Sequence, residues 1–275
     1  MAFAGAVKMI ARMLQYVWGI ARVSRALVGV PPTSPLMPSA GRRCLRPGRS
    51  RSPSQSALAI IATALVAMGA DVATHPRVNS LTRPASAEKS PDADGFIQRW
   101  LILEPIRSNT PLTDNAVKEA ARREYFSNQF SIVPRDGDKV TAGGEELAWH
   151  AVDTKLYNVN LYHFAYALNK PTSSVLFWAV TIVNCPEEIR DVRLAIGSNA
   201  ASVWWVNGQE VIGIYGDRQT VIDDGVSKRL TLTKGRNIIR CAVFNAGGAT
   251  DFCARFLDAG DKPVKAFTVS LVDSK

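Results

Sequence analysis

Histidine and cysteine are scarce in this chain of 275 residues, with three of the first and four of the second. Beyond residue 95 the histidines are His150 and His163, too few for an all-histidine metal site. No CxxC or Cys/His spacing points to zinc. Neither a G-x-S-x-G motif nor a GDS-type block occurs, so the common serine-hydrolase signatures are missing. Strand and helix patterns do not alternate as βαβ units do, which excludes a doubly wound hydrolase fold. No internal repeat is visible. The net charge of +9 does not argue for nucleic acid, because it is concentrated at one end. Residues 1–95 hold 12 Lys and Arg against 4 Asp and Glu, whereas residues 96–275 hold 21 against 20. A nearly neutral folded part offers no clustered basic face for phosphates.

What is present begins with a leader over residues 1–95. Residues 1–30 include an apolar stretch dotted with arginine that suits an amphipathic helix. Val30 to Ser56 are rich in Pro, Ser, Gly and Arg, with too little apolar content to fold. Ala57 to Ala70 form an uncharged apolar run of 14 residues, short for a membrane span but suited to the h-region of a signal peptide. Arg46, Arg49 and Arg51 supply the positive n-region, and Ala85-Ser86-Ala87 or Ala67-Met68-Gly69 a cleavage site. Arg42-Arg43-Cys44-Leu45-Arg46 resembles a twin-arginine export signal. The expectation is therefore a signal peptide over 40–87 and a protein that is secreted, periplasmic or in the cell envelope. Membrane attachment would come only through an uncleaved leader. A signal peptide belongs at the start of a chain, so the true start codon is expected downstream of Met1. The whole leader is expected to be disordered and to pack against nothing.

Residues 96–275 read as one all-β antiparallel sandwich with one short helix. Phe96 to Leu103 suit a first strand, closed by Glu104-Pro105. Thr113 and Asp114 are helix caps for the following residues, with Ala116, Ala120 and Tyr125 as an apolar stripe. Asp138 to Thr141 and Leu147 to Val152 suit a hairpin around Gly143-Gly144. Leu161 to Leu168 and Ser174 to Val183 suit apolar strands. Val203 to Val206 and Glu210 to Ile214 flank Asn207-Gly208, whose residues favour the positive φ angles of a type I′ turn. Further strands are expected over Lys228 to Leu232, Asn237 to Phe244, Asp251 to Leu257 and Val264 to Leu271. Cys241 and Cys253 each lie six residues from Gly247, so a symmetric hairpin there would make them cross-strand neighbours, as buried thiols rather than a disulfide.

Several of these segments, in order, carry a family likeness: Leu194 to Ser198, Val203 to Gly208, Leu230 to Asn237, and Asn245 to Phe256. They resemble the galactose-binding-like jelly-roll domain attached to bacterial acetyl xylan esterases and many glycoside hydrolases. Arg99 to Pro105 is similar to the first strand of such domains. The resemblance implies secretion, contact with a polysaccharide such as xylan, and a structural calcium ion. It departs at Asn199-Ala200-Ala201, where such domains carry acidic residues.

Sugar rings present apolar C–H faces to aromatic side chains and hydroxyls to polar ones. The carbohydrate-binding candidates are accordingly Trp204 and Trp205, with Tyr215, Asp217 and Arg218 after them and Asn245 and Asp251 flanking the next glycine loop. Consecutive tryptophans on a strand point to opposite faces, so one is expected in the core and one outside. For catalysis, His150, His163 and Ser198 are the candidate acyl-transfer groups. Asp217, Asp223, Asp224 and Asp251 are the candidate paired carboxylates of a glycosidase. Lone strand histidines and turn aspartates ordinarily serve structure, and no catalytic residue is assigned.

Overall fold

The computed structural model describes residues 80–272. The leader features N-terminal to Ser80 lie outside the described residues. In chain order the strands begin with β1 (Leu81–Thr82), β2 (Glu88–Lys89), β3 (Arg99–Leu103), β4 (Ile106–Arg107), β5 (Lys139–Ala142) and β6 (Glu145–Thr154). They continue with β7 (Val159–Asn160), β8 (Val175–Cys185), β9 (Ile189–Ser198), β10 (Ala201–Val206) and β11 (Gln209–Ile214). The last are β12 (Gly225–Val226), β13 (Leu230–Leu232), β14 (Gly235–Asn245), β15 (Asp251–Leu257) and β16 (Thr268–Ser270). Helix α1 (Asp114–Arg122) lies between β4 and β5, and α2 (Leu161–Ala167) between β7 and β8.

All strand pairs are antiparallel, in two sheets. The larger runs β1-β6-β3-β8-β14-β10-β11, with β2, β4, β5 and β16 attached; the smaller runs β12-β9-β15-β7, with β13 attached. The expected all-β sandwich is the fold. In the β10–β11 hairpin Asn207 has φ 51° and Gly208 φ 82°, the left-handed pair that a type I′ turn requires.

The larger sheet is buried on both faces. Between the sheets, Trp100 of β3, Trp204 of β10 and Phe252 of β15 meet edge to face, with centroids 5.0–5.9 Å apart. On the opposite face a second core holds Trp149, Trp178 and Trp205 beneath α1 and the segment that follows it. There Trp178 stacks on Trp205 at 5.4 Å, and Phe126 and Phe130 abut these indoles edge-on. Arg240 of β14, buried on this face, donates to Ile132 O (2.6 Å) and ties the segment down. Burial, and then the charge of Arg236, lowers the Arg240 pKa to about 10.

Four expectations need correction. Leu161–Ala167 is helix α2, not a strand, because Leu161, Phe164, Ala165 and Leu168 repeat at helical spacing and Asn160 Oδ1 caps the first turn by accepting from His163 N (2.7 Å). There are thus two helices among the described residues, not one. The buried stripe of α1 is Val117, Ala120 and Ala121 rather than one through Tyr125. Cys241 and Cys253 lie on strands of different sheets, β14 and β15, because the chain after Asn245 crosses from one sheet to the other instead of turning back. All three described cysteines are free and buried.

The fourth correction concerns where the fold begins. Residues 80–95 were expected to belong to a disordered leader, with 80–87 the end of the signal peptide, yet β1 pairs with Thr154 and Asp153 of β6, and Leu81 is 1% exposed. The anchor is Arg99, which faces Asp153 across the β3–β6 ladder. Its Nε and Nη2 donate to the two carboxylate oxygens at 2.8 and 2.9 Å, and Nη1 donates to Ser86 O at 2.9 Å. The guanidinium is fully buried and needs all three acceptors. Cleavage after Ala87 would remove one of them together with β1.

Asp153→Ala should therefore cost about 3–5 kcal/mol in chemical denaturation, because it strands a buried charge. A chain beginning at Glu88 should likewise be measurably less stable than one beginning at Ser80. Equal stability of these two chains would contradict the anchoring role.

Candidate functional site

The residues that bring chemistry together sit at one end of the sandwich, around the start of β15. Asn158 Nδ2 donates to Asp251 Oδ2 (2.5 Å), and the Thr220 hydroxyl donates to Asp251 Oδ1. Asn199 N and Ser198 Oγ both donate to the backbone oxygen of Asp251, at 3.2 and 3.3 Å. Four loops therefore converge on one half-buried aspartate: β6–β7, β9–β10, β11–β12 and β14–β15.

The β11–β12 loop reaches this position because β9 carries glycine beneath it. A Cβ at Gly197 would lie 2.2 Å from Val221 O and 2.9 Å from Cys253 Sγ, so any side chain there would push the loop away. Arg218 N then donates to Asn199 O (3.0 Å), and Arg218 Nη1 to Asp224 Oδ2 (2.8 Å). Beside it, Arg255 pairs with Asp223 through Nε (3.0 Å) and lies 4.9 Å over the Phe96 ring, which abuts Tyr157. Both arginines are thus neutralised by aspartates of one loop.

Exposed aromatic surface flanks this polar cluster. Tyr157 is 39% and Tyr162 37% exposed. The amide of Tyr162 donates to Thr250 O (3.1 Å), one residue before Asp251, and its ring lies parallel to that of Tyr166. Among the described residues, the buried amide oxygens Asn158 Oδ1 and Asn199 Oδ1 have no hydrogen-bond partner.

The sequence candidates fare unevenly. Arg218 and Asp251 belong to the cluster, and Asp217 is exposed on the same loop. Tyr215 is half-buried, with Lys118 Nζ 4.9 Å from its ring centroid. Asn245 is 3% exposed and shapes a turn, donating to Thr172 O and accepting from Gly247 N. Trp204 and Trp205 are 0% and 6% exposed and are core residues, so neither offers a face to a sugar. One tryptophan was expected outside; both are inside because the larger sheet has a core on each face. Tyr157, Asn158, Tyr162 and Thr220 were not anticipated.

The acyl-transfer and metal candidates find no support in this geometry. His150 Nε2 lies 3.3 Å from Glu104 Oε1, and Lys170 Nζ 2.9 Å from Glu104 Oε2. Burial raises the Glu104 pKa, but the bonds from His150, Lys170 and the Ala148 amide outweigh it and hold the carboxyl down at about 2. That is a buried ionic tie between β3, β6 and the α2–β8 loop. Ser198 Oγ bonds the backbone rather than an imidazole. Burial, then Asp223 and Asp251, pushes the Cys253 thiol up to about 12, far from a thiolate nucleophile. A calcium ion takes six to eight oxygens, typically with several carboxylates. Here both oxygens of Asp251 accept hydrogen bonds, Asp223 and Asp224 face arginines, and among the described residues no three His, Cys, Asp or Glu side chains converge. The donor set does not fit that ion.

No family model and no curated protein matches the chain. Among solved structures, a PA14 sugar-binding domain from an RTX adhesin is 13% identical, with 62% of this chain and 96% of that one covered at a TM-score of 0.35. The PA14 domain of the antifreeze protein MpAFP is 13% identical over 68% and 96%, at 0.36. A β-glucosidase from Kluyveromyces marxianus is 14% identical over 58% of this chain and 15% of that one, at 0.29. Each is a distant likeness.

Gly197→Val should lift the β11–β12 loop. Hydrogen exchange should then show the Arg218 amide losing at least about tenfold of its protection, with β14 unchanged. Unaltered protection at Arg218 would contradict the close loop approach.

Proposed function

We propose that this is an exported carbohydrate-binding β-sandwich that holds polysaccharide, xylan among the candidates, at the loop end around Asp251. One observation carries the reading: exposed Tyr157 and Tyr162 bracket Asn158, whose side chain is bonded to Asp251. Tyrosine rings offer flat apolar surface to the C–H faces of a sugar, while carboxylate and carboxamide groups fix the positions of its hydroxyls. The polar members are held by one another and by four loops, so little ordering remains to be done on binding. Export is supported by the apolar run Ala57 to Ala70 and the arginines ahead of it. The resemblance to domains of acetyl xylan esterases supports the polysaccharide class. The sandwich is assigned binding rather than deacetylation, because His150 is tied to Glu104 and the Ser198 hydroxyl donates to the backbone oxygen of Asp251. Ester hydrolysis on the same substrate would fall to a partner or to another domain.

Titration calorimetry with soluble xylan tests this. Tyr162→Ala and Asp251→Ala should each weaken binding about tenfold or more, equivalent to about 1.4 kcal/mol. Tyr162→Ala should leave Tm nearly unchanged, since its ring is exposed. Trp205→Phe, a change within the outer core, should leave binding intact. Undiminished xylan binding by both site variants would sink the assignment.

A further inference from the structure

A concave surface lies on the side of the larger sheet, joined to the Asp251 cluster through two loops. It is a groove of about 440 Å³ between the segment after β4 and helix α1. Ser108, Asn109, Thr110, Ala116, Ala120 and Tyr125 line it, with the charged Arg107, Glu119 and Arg123. Its hydroxyls are set: Ser108 Oγ and Thr110 Oγ1 are 2.8 Å apart. Tyr125 is held from behind by Gln129, 1% exposed, whose Oε1 accepts from Tyr125 N (2.8 Å) and whose Nε2 donates to Arg123 O (2.9 Å). Burial raises the Tyr125 pKa, with Arg123, Ser108 and Thr110 opposing in part, so the phenol is a neutral hydroxyl at physiological pH. The arginines at the rim are matched by carboxylates, Arg107 with Glu145 (3.4 Å) and Arg123 with Glu119 (3.8 Å). A groove of hydroxyls over methyl groups, with no net charge at its rim, suits a neutral polyhydroxylated ligand rather than an anion.

The backbone links this groove to the Asp251 cluster. Ser108 N donates to Ser174 O (2.8 Å), and Ser174 N to Ala246 O (3.3 Å). Ala246 opens the loop that delivers Thr250 and Asp251, and Thr250 O accepts from Tyr162 N. The chain of contacts therefore runs from Ser108 through two loops to Tyr162.

We infer that the groove is a second saccharide subsite, and that the ligand is a neutral glycan chain spanning from Tyr125 to Tyr162 rather than a single terminal sugar. The inference rests on the reading that the Asp251 end binds carbohydrate. A ligand engaging both subsites gains affinity with length until both are filled, and a shorter one does not.

The test is calorimetry of the full chain with xylo-oligosaccharides from disaccharide to hexasaccharide. Wild-type affinity should rise with length. The double variant Ser108→Ala/Thr110→Val should lower the ratio of hexasaccharide to disaccharide affinity about tenfold. Tyr125→Phe, which keeps the ring and deletes the hydroxyl, should lower it in the same direction, with Tm confirming that both variants fold. Asp251→Ala should weaken all lengths. Affinity that is flat with length, or a double variant that keeps the full rise, overturns the second subsite while the Asp251 reading stands. Failure of every oligosaccharide to bind the wild type overturns that reading, and the subsite with it.

Discussion

Strand β10 sets Trp204 against Trp100 and Phe252 on one face of the larger sheet, and Trp205 against Trp178 and Phe130 on the other. Burying a sheet on both faces uses its large aromatic residues as packing, and every described tryptophan is so used. The tryptophans are thereby withdrawn from the surface, and Tyr157 and Tyr162 are the exposed aromatic residues beside the Asp251 cluster. The double burial also explains why α1 and the segment after it are present. Without them the indoles of Trp149, Trp178 and Trp205 would form an apolar patch open to water.

The irregular segments are fixed by polar contacts rather than by area. Arg99 joins Asp153 to the backbone of Ser86 and draws residues 81–89 into the sheet. Asp251, where β15 pairs with β7, adds side-chain and backbone bonds to Asn158, Asn199, Ser198 and Thr220 beyond the ladders of the smaller sheet. Glu104 performs a similar service between β3, β6 and the α2–β8 loop. Buried charges of this kind stabilise only when fully paired, and each of these is held from more than one side.

Local chemistry decided how much of this was legible in the sequence. The β10–β11 hairpin could be read because Asn-Gly selects one turn type, and β15 because Asp251 to Leu257 is bounded by a glycine loop. Helix α2 carried a helical signal, Asn160 followed by apolar residues at 161, 164, 165 and 168, but its aromatic content favoured a strand reading. Counting symmetrically from Gly247 could not distinguish a hairpin from a crossover, since both need a glycine-rich loop of the same length. Strands β1 and β2, two residues each, have no periodicity to detect. The second core was invisible because Phe126 and Phe130 sit in irregular chain. At the site, Arg218 and Asp251 stood out as polar loop residues beside glycine. Tyr162 had a weaker signal, a large aromatic lying off the apolar stripe of its helix. Tyr157 and Thr220 had none, because only the fold brings their loops to Asp251.

The loop end, not the strand faces, is the surface proposed to meet a saccharide. Amide chemical-shift mapping by NMR during titration with xylohexaose tests this most directly. The largest changes should fall on residues 108–110, 157–162, 199, 217–220 and 250–251, with the amides of β10 and β14 nearly still. Changes centred on β10, on β14, or scattered without a focus would contradict it.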